Sequence, residues 1–221
     1  MNVSVILAAG GSSSRFGKDK LIEKINNEEV IIHTLKKFYN LSNVNEIVIV
    51  TAKHLIEIIK NLTKDYKKVK VVEGSTSRQK SVFNGLKNVS KSTNFVIIHD
   101  GARPLIKEET ILKCLNEAFG SKAAAVGVKT TDTIKLTDEN MNIIKTIDRS
   151  FLYNIQTPQI FEYQTILACH EKLVDKNFTD DASMLEYSNI PVKIVEGEYS
   201  NIKITTKTDL ELAKILQLQS L

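Results

Sequence analysis

The chain contains little arginine: four of its 30 basic residues are arginine, and the others are all lysine. Acidic residues number 26, so the formal net charge is only +4 over 221 residues. A charge this small does not indicate nucleic-acid binding unless the basic side chains cluster, and we expect no nucleic-acid partner. Because 42% of the residues are hydrophobic and charges of both signs are mixed along the chain, disorder is also excluded.

Cysteine is equally scarce. The two cysteines, Cys114 and Cys169, lie far apart, and neither belongs to a Cys-x-x-Cys pair or to a Cys/His spacing typical of zinc. We interpret both as small buried side chains of a protein in a reducing compartment. The four histidines are also scattered, so the sequence predicts no zinc site.

Long hydrophobic runs are absent as well. No apolar run approaches the roughly 18 residues that a membrane-spanning helix needs. The amino-terminal segment has no basic region before its apolar residues, and its apolar run is shorter than that of a signal peptide. We therefore expect no membrane association and a cytoplasmic location.

What the sequence does contain is a regular alternation of short β-branched runs with helical patterns. Five runs predict strands buried on both faces, at residues 3–7, 46–51, 69–72, 95–99 and 124–128. Apolar residues at helical spacing predict helices at residues 30–39, 54–64, 78–89 and 108–119. This alternation predicts an α/β fold with a mostly parallel sheet and helices on both faces. In such folds ligands bind at the carboxyl ends of the strands.

The alternation stops after residue 128. Residues 133–136 and 143–147 alternate apolar and polar side chains around a turn-rich segment at 137–140, which predicts a projecting β-hairpin. The remaining patterns predict helices at 163–174, 181–187 and from Asp209, and strands at 192–195 and 202–205. No internal repeat or linker rich in proline or glycine interrupts the chain. We predict one domain over residues 1–221, with an arm at about 131–152.

The loop after the first predicted strand is rich in small residues. It begins at Ala8, Ala9 and Gly10 and carries two cations, Arg15 and Lys20. Small residues let a ligand approach the backbone closely, and successive amide groups can bind phosphate oxygens. The spacing matches neither the Walker A loop nor the dinucleotide-binding glycine motif. A flexible turn is the alternative, but the two cations favour a site for nucleotide phosphates.

Asp100 follows the fourth predicted strand and therefore lies at the same edge of the sheet. A single carboxylate at a strand end can bind Mg²⁺ when substrate phosphates supply the remaining oxygens. The alternative is that Asp100 caps the following turn. Its position at the edge that carries the glycine-rich loop favours the magnesium site.

Three further segments carry weaker signals. Ser77, after Gly74, suits the N-cap of the third predicted helix, and Ser81 on its first turns can hydrogen-bond a base or ribose. Asp180 precedes a helix and is expected only to cap it. Lys203 stands among apolar residues in the predicted strand 202–205, where an ordinary surface lysine is the alternative.

Taken together, these segments resemble one family. In chain order they read AAGGSSSRFGKDK, HDGARP, DTIK, IDR, TPQ, TDDAS and NIK-TT, and they are similar to the 2-C-methyl-D-erythritol 4-phosphate cytidylyltransferases of the non-mevalonate isoprenoid pathway. The resemblance extends from about Val3 to the last helix. It implies a Rossmann-like nucleotidyltransferase fold and a homodimer, with a protruding β-arm that matches the predicted hairpin.

The sequence departs from this family's pattern in two loops. The first loop commonly reads Ala-Ala-Gly-x-Gly-x-Arg-Met, whereas here serine replaces the second glycine and Arg15 comes one residue later. The family often has Gly-Gly-(Asp)-x-Arg after the third strand, where this chain has Gly74-Ser-Thr-Ser-Arg78. The sister ribitol-5-phosphate cytidylyltransferases, which tend to carry His-Asp-Ser-Val-Arg-Pro and Pro-Lys-Gln, are the alternative. Gly101-Ala102 and the Asp-Lys-Leu at 19–21 look more like the erythritol family.

The resemblance also implies a reaction and a role for individual residues. An oxygen of the polyol phosphate would attack the α-phosphorus of CTP and release pyrophosphate, and no general base is needed because that oxygen is already ionised. The resemblance assigns Arg15 and Lys20 to the transition state at the α-phosphate, and Arg149 and Lys203 to the incoming phosphate. It assigns Mg²⁺ to Asp100. It assigns cytidine binding to six residues, namely Ala8, Ala9, Gly10, Gly74, Ser81 and Gly101.

Thr133 and Arg149, both on the arm, are implied to reach the active site of the other chain in a dimer. Arg78 and Arg103 are interpreted as braces for their loops rather than as ligands. The alternative of another class is a nucleotide-binding regulatory module without catalysis. The joint presence of Arg15, Lys20, Asp100, Arg149 and Lys203 argues against such a module, which would need only some of them.

Overall fold

A central sheet of seven strands organises the structure, a computed structural model that describes residues 1–10, 16, 17 and 19–218. The strands are β1 Val3–Ala9, β2 Lys24–Ile25, β3 Glu28–Glu29, β4 Val44–Thr51, β5 Val69–Glu73, β6 Phe95–Asp100, β7 Ala123–Lys129, β8 Lys135–Thr137, β9 Ile143–Thr146, β10 Tyr153–Glu162 and β11 Lys193–Glu196. The α-helices are α1 Val30–Tyr39, α2 Ile56–Leu62, α3 Arg78–Asn88, α4 Glu108–Ser121, α5 Tyr163–Lys172, α6 Ala182–Tyr187 and α7 Lys207–Leu218. Short 3-10 helices lie at Lys20–Ile22, Lys53–Leu55 and Arg149–Phe151.

The order of strands in the sheet is β11-β7-β10-β6-β1-β4-β5. Neighbouring strands are parallel except for β10, which runs antiparallel to both β6 and β7. The prediction of an α/β fold with a mostly parallel sheet is therefore confirmed. β5 is an edge strand with exposed and half-buried residues, so its predicted burial on both faces was wrong.

Two hydrophobic clusters, one on each face of the sheet, make a three-layer structure. Val5 and Leu7 of β1 belong to the cluster that includes α1, α2, α4 and α7, while Ile6 belongs to the cluster that includes α3, α5 and α6. The two clusters alternate along the strand because successive side chains point to opposite faces. Gly85 of α3 lets that helix approach the sheet closely, since a Cβ there would lie 2.8 Å from Cγ2 of Ile6. Leu112 of α4 is 37% exposed and so lies outside the buried face of that helix.

The strand β10 was not predicted from the sequence. Its buried part carries Gln156, Thr157 and Gln159, which are polar, and Pro158, which has no amide hydrogen to donate. The pairing of β10 with β7 is irregular between Ile155 and Gln159, so the proline sits where the ladder is interrupted. A strand of this kind escapes a search for β-branched runs.

The predicted strand at 202–205 was also wrong. The segment has no regular secondary structure, although Ile204 is fully buried and its amide donates to the carbonyl of Ala102 over 2.9 Å. Ile202 and Ile204 are spaced two apart, as in a strand, but they pack in the hydrophobic cluster on one face of the sheet instead of joining a ladder.

The predicted β-hairpin is present, as β8 paired antiparallel with β9. Asp138 forms its turn by accepting hydrogen bonds from the backbone amides of Asn140 and Asn142, and Met141 has a φ of +65°. Every residue of the two strands is exposed. The hairpin therefore projects from the domain as predicted.

The register of the sheet places the loops of interest side by side. Glu73 of β5 is paired with Thr51 of β4, Thr51 with Ala9 of β1, and Ala8 with Asp100 of β6. Because neighbouring strands lie only about 4.8 Å apart, the loops that follow β5, β1 and β6 open on one edge. In the part of the chain that the structure describes, no helix has the length and apolar character needed to cross a membrane.

Candidate active site

Gly10, Gly74 and Ser81 meet at one end of this edge. A Cβ on Gly74 would lie 3.0 Å from Oγ of Ser81 and 3.2 Å from the carbonyl oxygen of Thr51, and one on Gly10 would lie 3.3 Å from the same Oγ. Ser81 Oγ donates to the carbonyl of Ser77 over 2.8 Å. The structure thus brings these three predicted nucleotide-binding residues together, and the two glycines contribute only backbone atoms to the surface there.

Ser77 also confirms its predicted role as the N-cap of α3, because its side chain accepts from the amide of Lys80 over 3.1 Å. Ser81 is 2% exposed, and its hydroxyl also accepts from the amide of Ser75 over 2.8 Å. A hydroxyl engaged in this way holds the loop after β5 against the start of α3.

Gly101 has a packing role next to Ala8 and Ala9. Its amide donates to the carbonyl of Ala8 over 2.9 Å, and its own carbonyl accepts from the hydroxyl of Thr34 in α1 over 2.9 Å. A Cβ at this position would lie 3.0 Å from Cδ1 of Ile31 and 3.4 Å from Cβ of Ala9. The absence of a side chain lets α1 pack against the loop after β6, whereas contact of Gly101 with a nucleotide stays a prediction.

Asp100 is the centre of a charged cluster at the other end of the edge. Its carboxylate is 2.8 Å from Nζ of Lys203, 3.4 Å from Nε of Arg78 and 3.6 Å from Nε of Arg103. Burial alone would raise the pKa of Asp100, but the three cations, Arg78 first, outweigh it and hold that pKa well below its ordinary value. The carboxylate is therefore ionised at any physiological pH.

Arg78 and Arg103 each connect two segments at the site. Arg78 donates through Nη1 to Asp181 over 2.7 Å as well as reaching Asp100, and Arg103 donates through Nη1 to the carbonyl of Asn201 over 2.6 Å. Burial acts to lower the pKa of Arg78, but the two carboxylates outweigh it and raise that pKa above its ordinary value. Burial lowers the pKa of Arg103.

Asp181 and His170 were missed by the sequence reasoning. Asp181 is 1% exposed and accepts from Nε2 of His170 over 3.2 Å. It also accepts from Nη1 of Arg78, so it connects this arginine with His170.

Asp180, the neighbour that was expected only to cap α6, does accept from the amide of Ser183 over 3.1 Å. It also accepts from Nε2 of Gln159 over 2.7 Å and lines a cleft beside the charged cluster, so the expectation of a cap alone was wrong. No local pattern distinguishes Asp181 from Asp180, because its partners lie 11 and 103 residues away.

A cleft of about 430 Å³ opens beside the charged cluster, within the range of small-molecule sites. Its charged lining residues are Arg78, Arg103, Lys203, Asp100, Asp180 and Glu186, and Thr157 of β10 is among the uncharged ones. The cleft therefore combines three cations with three acidic side chains and with uncharged hydrogen-bonding groups, as a site for a polar, charged ligand requires.

The remaining predicted site residues lie elsewhere or outside the described chain. Arg15 falls outside the described residues. Lys20 is the first residue of the 3-10 helix Lys20–Ile22, which follows the loop after β1. Arg149 and Thr133 are exposed on or beside the arm, where the guanidinium of Arg149 donates to the carbonyl of Thr131, and neither is among the described residues that line the cleft.

Both cysteines are buried with free thiols, as predicted. Burial raises the pKa of the Cys114 thiol to about 12, so this group is not an available nucleophile. Among residues 1–10, 16, 17 and 19–218, no group of three or more histidine, cysteine, aspartate or glutamate side chains is arranged to bind a metal ion.

His99, directly before Asp100, is completely buried and held in one tautomer. Its Nε2 lies 3.0 Å from the carbonyl oxygen of Arg103, which can only accept, so Nε2 carries the hydrogen. Within the described chain Nδ1 is buried without a partner for a second proton. Burial consequently lowers the pKa of His99 to about 4.

This buried histidine makes folding stability depend on pH. Between pH 6.5 and about 4 the unfolded chain binds a proton at His99 that the folded chain does not, so the free energy of unfolding falls as the pH falls. We expect His99→Gln, which keeps a donor toward Arg103, to remove this dependence. From pH 7 to pH 4.5 the wild type should lose about 2–3 kcal/mol more than the variant in urea unfolding. Parallel pH profiles for the two proteins would contradict this account.

Comparison with known proteins identifies the family. The family model for 2-C-methyl-D-erythritol 4-phosphate cytidylyltransferase matches residues 3–219. Proteins of that name from Caldanaerobacter subterraneus subsp. tengcongensis and Dictyoglomus thermophilum are 42% and 41% identical to this chain. The first match covers 97% of this chain and 98% of the relative, and the second covers 93% and 92%.

Solved structures agree with this identification. The crystal structure of 4-diphosphocytidyl-2C-methyl-D-erythritol synthase from Anaerococcus prevotii has a TM-score of 0.89 at 35% identity, covering 98% of this chain and 96% of that one. The 2-C-methyl-D-erythritol 4-phosphate cytidylyltransferase from Francisella tularensis has a TM-score of 0.84 at 29% identity, covering 97% and 99%. The predicted Rossmann-like nucleotidyltransferase fold is thereby confirmed. The chain belongs to the 2-C-methyl-D-erythritol 4-phosphate cytidylyltransferase family.

Proposed function

We propose that this chain transfers a cytidylyl group from CTP to 2-C-methyl-D-erythritol 4-phosphate in isoprenoid precursor biosynthesis. The products are 4-diphosphocytidyl-2-C-methyl-D-erythritol and pyrophosphate. Membership of the family supports this function. The observation that carries it is the cluster of Arg78, Arg103 and Lys203 around the ionised Asp100, in a cleft at the edge that also holds Gly74 and Ser81.

The chemistry is a displacement at phosphorus. An ionised oxygen of the polyol phosphate attacks the α-phosphorus of CTP, a new P–O bond forms, and the bond from the α-phosphorus to the β-phosphate oxygen breaks to release pyrophosphate. Both reactants are anions, so their mutual repulsion and the charge on the phosphoryl oxygens are the main obstacles. Catalysis then depends on positioning and on fixed positive charge.

The cations of this chain divide between the two reactants. Lys20 and Arg15, on the first loop, stabilise the charge at the α-phosphate in the transition state. Lys203, whose side chain is 38% exposed beside the cleft, holds the incoming polyol phosphate in line. Arg149 completes that second site with a planar guanidinium, which can donate two parallel hydrogen bonds to a phosphate.

The nucleoside end of CTP lies against the backbone of the loops that follow β1 and β5. Ala8, Ala9 and Gly10 border it on one side and Gly74 and Ser81 on the other, and the close packing of Ser81 against both glycines supports a site bounded by backbone. A shallow site of this kind accepts a pyrimidine and excludes a larger purine by contact.

We assign to Asp100 a magnesium ion that arrives with its nucleotide, which would replace ion pairs that the carboxylate makes here. One ionised carboxylate stands at the strand end, and Mg²⁺ commonly takes one or two carboxylates together with substrate phosphate oxygens. Bound there, the ion would neutralise triphosphate charge, and Asp100 would be its protein ligand. Lys203 and Arg78 share the same carboxylate, so they are close enough to act on the same phosphates.

The arm supports a homodimer in which each chain completes the site of the other. Apolar side chains are exposed along and beside it, including Leu136, Ile143, Ile144, Met141 and Phe151, and Phe151 is 85% exposed. An isolated two-stranded hairpin is marginally stable, and exposed apolar groups of this number are typical of an interface. Thr133 and Arg149 then reach the cleft of the partner chain.

The assay that tests the function measures pyrophosphate release from CTP. We expect rapid release with 2-C-methyl-D-erythritol 4-phosphate and little with ribitol 5-phosphate. Lys20→Ala should abolish turnover with an unchanged melting temperature, because it removes charge from the transition state and leaves the fold intact. Preference for ribitol 5-phosphate would favour the sister family, and no release with either substrate would favour a nucleotide-binding module without catalysis. A normal kcat in Lys20→Ala would remove this residue from the mechanism.

Mixing two inactive variants tests the shared site. In a heterodimer of Lys20→Ala and Arg149→Ala chains, one site contains both wild-type residues and the other contains neither. If chains pair at random, half of the dimers are mixed, and the mixture should recover about a quarter of wild-type activity. Each variant alone is the control. No recovery, in a sample where heterodimers are shown to form by native mass spectrometry, would contradict a site shared between chains.

A further inference from the structure

The ammonium group of Lys203 has a defined position beside Asp100, although the segment that carries it has no regular secondary structure. The residue lies between β11 and α7, outside both the sheet and the helices, yet its Nζ is 2.8 Å from Oδ2 of Asp100. A lysine side chain is long and flexible, so the position of its ammonium depends on how firmly the backbone beneath it is held. The backbone at Lys203 belongs to no strand or helix, so the hydrogen bonds of a ladder or a helix do not hold it.

Asn201, two residues before Lys203, supplies hydrogen bonds on one side of it, as the amide of Ile204 does on the other. Its side chain is fully buried, and Nδ2 donates to Oε1 of Gln156 over 2.9 Å and to the carbonyl of Thr157 over 3.0 Å. Its own carbonyl accepts from Nη1 of Arg103 over 2.6 Å, and its amide donates to the carbonyl of Glu198 over 3.0 Å. Four hydrogen bonds therefore fix one residue of an otherwise irregular segment.

Two of the four partners of Asn201, Thr157 and Arg103, also hold Asp100. Thr157 accepts through Oγ1 from the amide of Asp100 over 3.0 Å, while its carbonyl accepts from Asn201. Arg103 has Nε 3.6 Å from Asp100 Oδ2, while its Nη1 donates to Asn201. Two separate bridges thus connect the backbone under Lys203 with the carboxylate that its ammonium meets.

The side chain of Asn201 is not fully satisfied. Oδ1 is buried and has no hydrogen-bond partner among the residues that the structure describes. A buried acceptor without a partner lowers the stability of the protein. Residues that lower stability in this way are expected at functional sites. The amide is therefore better explained by the two groups that it connects than by its contribution to the core.

We propose that Asn201 is a positioning residue for the transfer reaction, which fixes the backbone under Lys203 relative to Asp100. The proposal rests on the proposed function, because it takes Lys203 as a ligand of the polyol phosphate. Asn201 itself contacts neither reactant. Without it, the ammonium still reaches the cleft but over a wider range of positions, and a displacement of about 1 Å in a reacting site can reduce the rate by about a hundredfold.

The first test is the kinetics of Asn201→Ala. We expect kcat/KM for the polyol phosphate to fall by about 10- to 100-fold, while KM for CTP changes by less than about threefold. Ser4→Ala is the matched control, because Ser4 is also buried and donates to Glu46 over 2.7 Å, but at the amino end of β1, far from the cleft. It should lower the unfolding midpoint and leave both kinetic constants unchanged. If Asn201→Ala does not fold, Asn201→Ser replaces it, since a serine is too short to reach both acceptors.

A double-mutant cycle with Lys203→Ala separates positioning from a structural role. If Asn201 acts through Lys203, Asn201→Ala should reduce kcat/KM no further in the Lys203→Ala background. Fully multiplicative effects of the two substitutions, or equal losses for both substrates, would overturn the proposal. A Lys203→Ala enzyme with wild-type kcat/KM would instead refute the role of Lys203 in the proposed function and the positioning role with it. The single variants therefore show which of the two ideas has failed.

Discussion

The architecture of the site depends on a buried carboxylate. Asp100 is 6% exposed, and burying an isolated charge is strongly unfavourable unless it is paired. Arg78, Arg103 and Lys203 provide that pairing from three different parts of the chain. In return the carboxylate lets three like charges lie close together, which their mutual repulsion would otherwise prevent. In the proposed function, an anionic substrate that enters the cleft meets positive charge already in place, as electrostatic catalysis at phosphorus requires.

The sheet brings these groups together. β6 carries Asp100 to the edge, and the parallel neighbours β1, β4 and β5 end beside it, so that the glycine-bearing loops and Arg78 follow at the same level. The antiparallel strand β10 completes the arrangement from the other side, because it places Gln156 and Thr157 between Asp100 and the segment of Lys203. Central strands thus position the charged edge of the sheet, while the hairpin between β7 and β10 is exposed.

The sequence was informative where the physical signal is local. Buried β-branched runs predicted β1, β4, β6 and β7, and alternation around a polar turn predicted the hairpin. Asp100 and Lys203 were predicted as site residues, and the structure places them in contact. The strand β10 was missed because polar residues and Pro158 hide its pattern, and their burial is explained only by partners from other segments. Asp181 and Asn201 were not recognised for the same reason, since their main partners lie about 45 to 100 residues away.

The central claim is that the charge of Asp100 organises the cations of the site, and Asp100→Asn tests it most directly. This substitution keeps the shape of the side chain and removes its charge, so Arg78 and Lys203 lose their common partner. We expect kcat/KM for cytidylyl transfer to fall by at least about a hundredfold, or about 2.7 kcal/mol of transition-state stabilisation, in a protein whose near-ultraviolet circular dichroism shows native packing. A folded Asp100→Asn enzyme with kcat/KM close to that of the wild type would contradict the account.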